Sequence, residues 1–167
     1  MYKRQAEAFA QSGVEVEGDP QALAELSGGS VGGALRLSLM GGLEAYAELI
    51  TLMGTLPRLD RGRALKLAEA AAQRGGEAKL ELLFRLIDLM LARLARTGAT
   101  GAPPPVQAAP NEAEILTRLA PTPHQGRIWA DTAQEVSARA QHGLAVNLDP
   151  AALVLDTFFK MGDSAPR

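Results

Sequence analysis

Apolar residues recur at intervals of three and four along most of the chain, with polar residues between them. The clearest run follows Gly75-Gly76 and consists of Leu80, Leu83, Phe84, Ile87, Met90, Leu91 and Leu94. This spacing places them on one face of an α-helix, because such a helix has about 3.6 residues per turn. The run therefore predicts a central core helix.

Residues that begin and end helices divide this pattern into separate elements. Capping side chains precede five of the runs, at Asp19, Ser30, Asp60, Asn111 and Asp149, and Asn111 with an acidic residue three positions later predicts a capping box. The predicted helices cover residues 20–26, 31–40, 43–53, 61–74, 77–97, 112–119, 124–142 and 150–161.

The same pattern predicts which side chains are buried. In the helix at 61–74, Leu65 and Ala68 are expected to face inward, and Lys66 and Glu69 outward. Other predicted core residues are Tyr46, Leu49, Ile50, Met53, Trp129, Ala133, Val136, Ala140, Val154, Leu155, Phe158 and Met161.

Residues 98–110 interrupt the periodicity. They are rich in Gly, Ala and Pro, with three consecutive prolines at 103–105, which predicts an exposed, flexible and partly extended connector. Arg93 and Arg96 stand just before it, where cations favour the end of a helix. Residues 163–167 are predicted to form a tail.

Composition supports an all-α protein. The 167 residues include 30 Ala and 25 Leu, both strong helix formers. The chain has no cysteine, which excludes disulfides and thiolate sites and favours a reducing cytoplasm. A net charge of −2 indicates no overall field for nucleic acid or anionic membranes. Apolar runs are interrupted too often to span a bilayer.

Candidate chemistry is sparse. The glycines at 28–33 lack the Lys-Ser/Thr of a phosphate loop and the strand of a dinucleotide site, so a turn between helices is the better interpretation. His124 and His142 are isolated and favour solvated surface positions over a zinc site. Scattered carboxylates are typical of solvated helix faces. Trp129 beside Arg127 could stack a base, but one aromatic on an apolar stripe favours the core.

Two segments resemble clamp-loader subunits of the AAA+ family. Residues 23–37, LAELSGGSVGGALRL, look like the end of the helical lid, where a Gly-Ser-x-Arg-x-Ala-Leu pattern is typical. Residues 146–156, VNLDPAALVLD, are similar to the closing helix of the delta prime family of bacterial DNA polymerase III subunits. The resemblance implies a helical collar domain at 42–162, preceded by the end of the lid at 1–41.

Gly32 departs from the pattern of the ATP-hydrolysing relatives. It occupies the position of the second-sensor arginine, whose forked donors reach nucleotide phosphates. Glycine makes no such contact, so the resemblance implies a stator that does not hydrolyse ATP, with no cofactor and no metal. It implies a non-catalytic part of a hetero-oligomer that loads the sliding clamp on primed DNA in the bacterial cytoplasm.

Polar and aromatic positions of the later helices are the candidates for subunit contacts. These are Arg127, Arg139, Asn147, Asp156 and Phe159. The chain is further interpreted as the C-terminal part of a subunit about twice as long, in line with usual domain sizes, and residues 1–5 as a sequence artefact before a helix at 6–11.

Two other functions are open. The chain could be a free-standing helical regulator that binds nucleic acid through Arg93, Arg96 and Arg118, or binds a protein partner. It could also be a helical enzyme using its carboxylates, although the residue types of a catalytic site are largely missing.

Overall fold

The structure is a computed structural model that describes residues 18–167. That range contains eight helices and no strand, which confirms the all-α prediction. The helices are α1 Pro20–Leu26, α2 Val31–Leu39, α3 Gly42–Gly54, α4 Arg61–Ala71, α5 Glu77–Thr100, α6 Glu112–Leu119, α7 Pro123–Ala145 and α8 Pro150–Ser164. The artefact predicted at 1–5 and the helix predicted at 6–11 lie outside the described residues.

The helix starts follow the predicted capping chemistry with one exception. The side chains of Asp19, Ser30, Asp60 and Asp149 each accept a bond from a backbone N–H in the first turn of their helix. Asn111 makes no such bond, so the predicted capping box is wrong. The reason is its left-handed backbone, with φ of 60°, in which its side chain does not cap the turn.

Helix α5 is the central element, as predicted. All seven residues of its apolar run are buried, and its most extensive contacts are with α7. Trp129, Val136 and Ala140 line the buried face of α7, with Trp129 donating to the carbonyl of Leu119 at 2.8 Å. The tryptophan is therefore a core residue and is not available to stack a base.

Two glycines bring α5 and α7 into backbone contact. A Cβ at Gly98 would lie 2.6 Å from the Cα of Gly126, and one at Gly126 would lie 2.9 Å from the carbonyl oxygen of Ala95. Gly98 lies within α5, which continues to Thr100, beyond the predicted end. It ends at Gly101, whose φ of 73° suits glycine.

The connector that follows is more closely packed than predicted. Only residues 101–111 lie between α5 and α6, and within them Ala108 and Ala109 are buried. The reason is a hydrogen bond from the Ala108 N–H to the carboxylate of Glu112, which holds this segment against the core.

Helix α8 also extends further than predicted, through Ser164, so the tail is shorter than residues 163–167. Its last turn is tied to α7, because the Ser164 hydroxyl lies 2.8 Å from that of Thr132 and its carbonyl accepts from the side chain of Gln125 at 2.7 Å. The packing of α7 thus orders a segment that looks unstructured in sequence.

Helix α4 buries small residues in place of the predicted leucine. Ala64, Ala68 and Ala71 form its buried face, whereas Leu65 is 44% exposed, so the inward prediction for Leu65 is wrong. A position one residue away is rotated about 100° around the helix, and the alanines allow close approach of neighbouring helices. The helix ends at Ala71, three residues earlier than predicted.

Helices α1 and α2 contribute to the same buried cluster as the later helices. Leu23, Leu26, Ala34 and Leu37 are all members of it. The division at residue 41 between a lid and a collar stays a prediction. No helix within residues 18–167 is both long enough and apolar enough to cross a membrane.

Candidate functional site

A buried ionic network joins residues that are far apart in sequence. Arg93 of α5 donates from Nε to Oε1 of Glu112 at 2.7 Å, and Glu112 has no exposed surface. The hydroxyl of Tyr46 in α3 donates to the same oxygen at 2.6 Å. The Ala108 N–H donates to the other oxygen, Oε2, at 2.6 Å. The buried carboxylate thus has three donors, as burial of a charge requires.

The network determines the ionisation of its members. Burial raises the pKa of Tyr46 far above its usual range, and the negative charge of Glu112 raises it further. Burial alone would lower the pKa of Arg93, but interactions with Tyr46, Glu112 and Glu25 outweigh burial and raise it. Tyr46 is therefore a neutral donor and Arg93 a permanent cation.

Arg93 also forms part of a surface cleft. Its Nη1 donates to Glu25 of α1 at 2.9 Å, and its Nη2 donates to the carbonyl of Val106 in the connector at 2.7 Å. The cleft beside it has a volume of about 510 Å³ and lies between α1, α5 and the three prolines at 103–105. One guanidinium therefore holds both walls of this cleft.

Two of the five predicted contact residues are in direct contact. The Nη2 and Nε atoms of Arg139 in α7 lie 2.6 and 3.0 Å from Oδ2 of Asp156 in α8, and both side chains are about half exposed. This hydrogen bond raises the pKa of Arg139. Phe159 follows Asp156 by three residues, on the same side of α8, and is 46% exposed.

The other two predicted contact residues lie near opposite ends of α7. Asn147 is exposed in the turn between α7 and α8, with a left-handed φ of 55°. Arg127 is exposed near the start of α7, twelve residues before Arg139, which corresponds to about 18 Å along a helix. The predicted set therefore does not form a single patch.

Sequence reasoning missed the apolar residues beside the ion pair. Leu144, Val146 and Leu148 are each 44% to 52% exposed around the α7–α8 turn. Leu148 lines a second cleft, of about 500 Å³, together with Arg139, His142, Asp149, Ala152, Leu153 and Asp156. The available signal was the run of apolar residues flanking Asn147, which was too short to show helical periodicity. We call Arg139, Asp156, Phe159 and Leu148 the α7–α8 surface.

Gly32 lies in the first turn of α2 and is exposed. A Cβ there would meet no atom within 4 Å. Packing therefore does not require glycine at this position.

The three arginines of the nucleic-acid hypothesis do not form one site. Arg93 is buried and ion-paired, so it is not available to a ligand. The prediction that it lies at the end of the helix is wrong, because α5 continues to Thr100 and its last turn contains no basic residue. Arg96 lines the first cleft. Arg118 is exposed in α6 and donates to the carbonyls of Leu56 and Gly54, both at 2.8 Å.

The histidines lie where the sequence placed them. His124 and His142 are both exposed. Between residues 18 and 167, no group of three His, Asp or Glu side chains could hold a metal ion.

The chain matches no protein-family model, no curated protein and no solved structure in comparisons with each of these sets.

Proposed function

We propose that the chain is a non-catalytic structural part of a bacterial clamp loader, of the delta prime kind. In this role its helices would pack against the collar helices of neighbouring subunits and support placement of the sliding clamp on primed DNA by DNA polymerase III. In this role the chain needs no active site, binds no cofactor and works in the bacterial cytoplasm.

The observation that carries the proposal is the α7–α8 surface. It combines the ion-paired Arg139 and Asp156 with the exposed apolar side chains of Phe159 and Leu148. Protein interfaces typically have an apolar centre with a polar rim, and aromatic and arginine side chains are enriched in them. The surface lies on helices at the end of the chain, in the part that resembles the collar.

Gly32 supports the non-catalytic part of the proposal. A Cβ at this exposed position would meet no atom within 4 Å, yet the chain has a residue with no side chain to reach a phosphate. The lid-like segment therefore lacks the arginine that senses nucleotide, as we expect for a subunit that does not respond to nucleotide.

Reconstitution tests the proposal. The chain would be mixed at micromolar concentration with the clamp-loader subunits encoded in the same genome, and the mixture analysed by size-exclusion chromatography. We expect co-elution. We further expect Phe159→Glu to weaken association by about tenfold or more, because it places a charge in the apolar part of the interface.

Leu39→Glu is the matched control, since Leu39 is 73% exposed on α2 and lies outside the α7–α8 surface. It should leave co-elution unchanged, and circular dichroism should show that both variants are folded. Absence of co-elution by the unmodified chain would refute the proposal. Equal effects of the two variants would show that the α7–α8 surface is not the interface.

A further inference from the structure

A group of basic side chains gathers around the turn between α3 and α4. Arg58 lies in the turn, and Arg61, Arg63 and Lys66 lie in the first two turns of α4. Arg118 reaches the same place from α6, because its guanidinium is bonded to the carbonyls of Gly54, the last residue of α3, and of Leu56 in the turn. We call these five residues the basic cluster.

The cluster keeps an excess of positive charge. Glu48 pairs with Arg63 at 2.7 Å, and Asp60 uses a carboxylate oxygen to cap the backbone N–H of Arg63. The carbonyl partners of Arg118 carry no charge to neutralise it. The side chains of Arg58, Arg61 and Lys66 have no partner among residues 18–167. Glu48 and Asp60 are thus the carboxylates bonded to the cluster within residues 18–167, and three of its five cations have no bonded partner there, in a chain whose net charge is −2.

The arginines of α4 stand at the unfavourable end of the helix. Arg61 and Arg63 are in its first turn, which contains no acidic residue. The N-terminal end of a helix carries a partial positive charge, so cations there are repelled and anions are attracted. The Asp60 carboxylate at the N-cap offsets part of this repulsion, and an anionic partner beside Arg58 and Arg61 would offset more of it.

We propose that the basic cluster binds the phosphate backbone of duplex DNA. Four of its five residues are arginines, whose forked donors match phosphate oxygens. The large apolar side chain exposed on α4 is Leu65, which is aliphatic, so the cluster offers no ring on which an unpaired base could stack. Backbone contacts of this kind bind a duplex without regard to sequence. This contact goes beyond the proposed function, which needs no DNA contact from this chain.

Fluorescence anisotropy tests the proposal, with the full chain and a labelled duplex of about 20 base pairs in salt from about 50 to 200 mM. We expect affinity to fall steeply with salt. The double variant Arg58→Gln/Arg61→Gln should bind several-fold more weakly at low salt. It should also reduce the slope of log K against log salt by about 2, since each lost phosphate contact removes about 0.9.

The matched control is Lys79→Gln/Arg85→Gln, which makes the same change in charge on the exposed side of α5. It should leave affinity and slope unchanged. The Arg58/Arg61 variant should unfold at the same or a higher temperature than the unmodified chain, because it removes a cation from the start of α4. Loss of DNA binding would then not reflect unfolding.

Three results would overturn the proposal. The unmodified chain could fail to bind duplex DNA at the lowest salt, or the control could lose as much affinity as the Arg58/Arg61 variant. The chain could also bind labelled polyglutamate or anionic lipid vesicles more tightly than DNA, which would make the partner an acidic protein or a membrane. Co-elution with clamp-loader subunits should be unaffected by the Arg58/Arg61 variant, so the two proposals fail independently.

Discussion

At the scale of single residues, Arg93 and Glu112 form the interaction most sensitive to substitution. Removing one partner of a buried ion pair leaves the other charge without compensation, at a cost of about 3–5 kcal/mol. We therefore expect Arg93→Met to lower the free energy of unfolding by about that amount, as measured by urea denaturation. Glu112 would retain its bonds from Tyr46 and Ala108 but would lose its counter-charge.

The double variant Arg93→Met/Glu112→Gln provides the control. It removes both charges while the amide oxygen at 112 can still accept hydrogen bonds. It should be more stable than Arg93→Met alone, because it leaves no unpaired charge at position 112. If the double variant lost as much free energy of unfolding as Arg93→Met and Glu112→Gln lose separately when added together, the stabilising role assigned to charge pairing would be wrong.

Tyr46 provides a prediction about pH. Its pKa is raised in the folded state by burial and by Glu112, so the folded chain retains the phenolic proton more firmly than the unfolded chain does. The resulting stability is fully present below the usual tyrosine pKa of about 10 and is lost as the pH rises above it. Tyr46→Phe removes this dependence of stability on pH, together with the hydrogen bond to Glu112.

Tyr46→Phe should therefore reduce the free energy of unfolding by about 1–3 kcal/mol at neutral pH. The difference in free energy of unfolding between this variant and the unmodified chain should become smaller above about pH 10, by at most about 1.4 kcal/mol per pH unit. Urea denaturation at several pH values measures both. A difference that stays constant up to pH 11 would contradict the buried, neutral state of the phenol.

The sequence could not predict this network. Glu112 lies 19 residues from Arg93 and 66 from Tyr46, while Glu25 lies 68 from Arg93. Local periodicity shows only that Arg93 stands near the end of a long helix, where a solvent-exposed cation is the usual interpretation. Its burial results from the approach of α1, α3 and α6, which no short-range pattern encodes.

At the scale of elements, the crossing of α5 and α7 allows a direct test. Gly98→Ala places a methyl group 2.6 Å from the Cα of Gly126, so one helix must move. Such overpacking typically lowers the free energy of unfolding by about 1–3 kcal/mol. Alanine is the better helix former by roughly 1 kcal/mol, which offsets only part of this loss. We expect a net loss of stability in thermal or urea unfolding.

Gly32→Ala is the matched control for this change. Gly32 is also in a helix, but a Cβ there meets nothing within 4 Å. Alanine should stabilise the chain by up to about 1 kcal/mol. If the two substitutions had the same effect, close contact between the helices would not be the reason for glycine at position 98.

The existence of most elements could be predicted, whereas several of their ends could not. Capping residues such as Asp60 and Asp149 act on neighbouring backbone groups, so sequence alone reveals them. The ends of α5 and α8 depend on α7, which contacts Gly98 and binds the last turn of α8 through Thr132. Asn111 shows the opposite failure, since a suitable local motif is overruled by the turn before it.

At the scale of the whole molecule, the overall charge conceals the way in which charges are distributed. A net charge of −2 argues against an anionic partner, yet the basic cluster carries a local excess of cations. Most of the cluster lies within residues 58–66 and was visible in the sequence. Arg118 joins it only through folding, because its bonds to Gly54 and Leu56 span more than sixty residues.

The α7–α8 surface was predicted in part for a similar reason. Arg139 and Asp156 are 17 residues apart and meet because a short turn brings α8 back along α7, which helical periodicity on both sides of Asp149 implies. Arg127 was included for its residue type, and its position on the helix separates it from the others. Residue type alone was therefore a weaker guide than position along paired helices.

The three bonds of Arg93 also have a geometric consequence for the cleft beside it. The α1 wall and the connector wall are each attached to one end of the same planar, rigid group. The guanidinium therefore ties the two walls to each other through two nitrogens whose separation is fixed. A lysine at this position offers a single nitrogen, so it would keep the charge but would lose this fixed spacing.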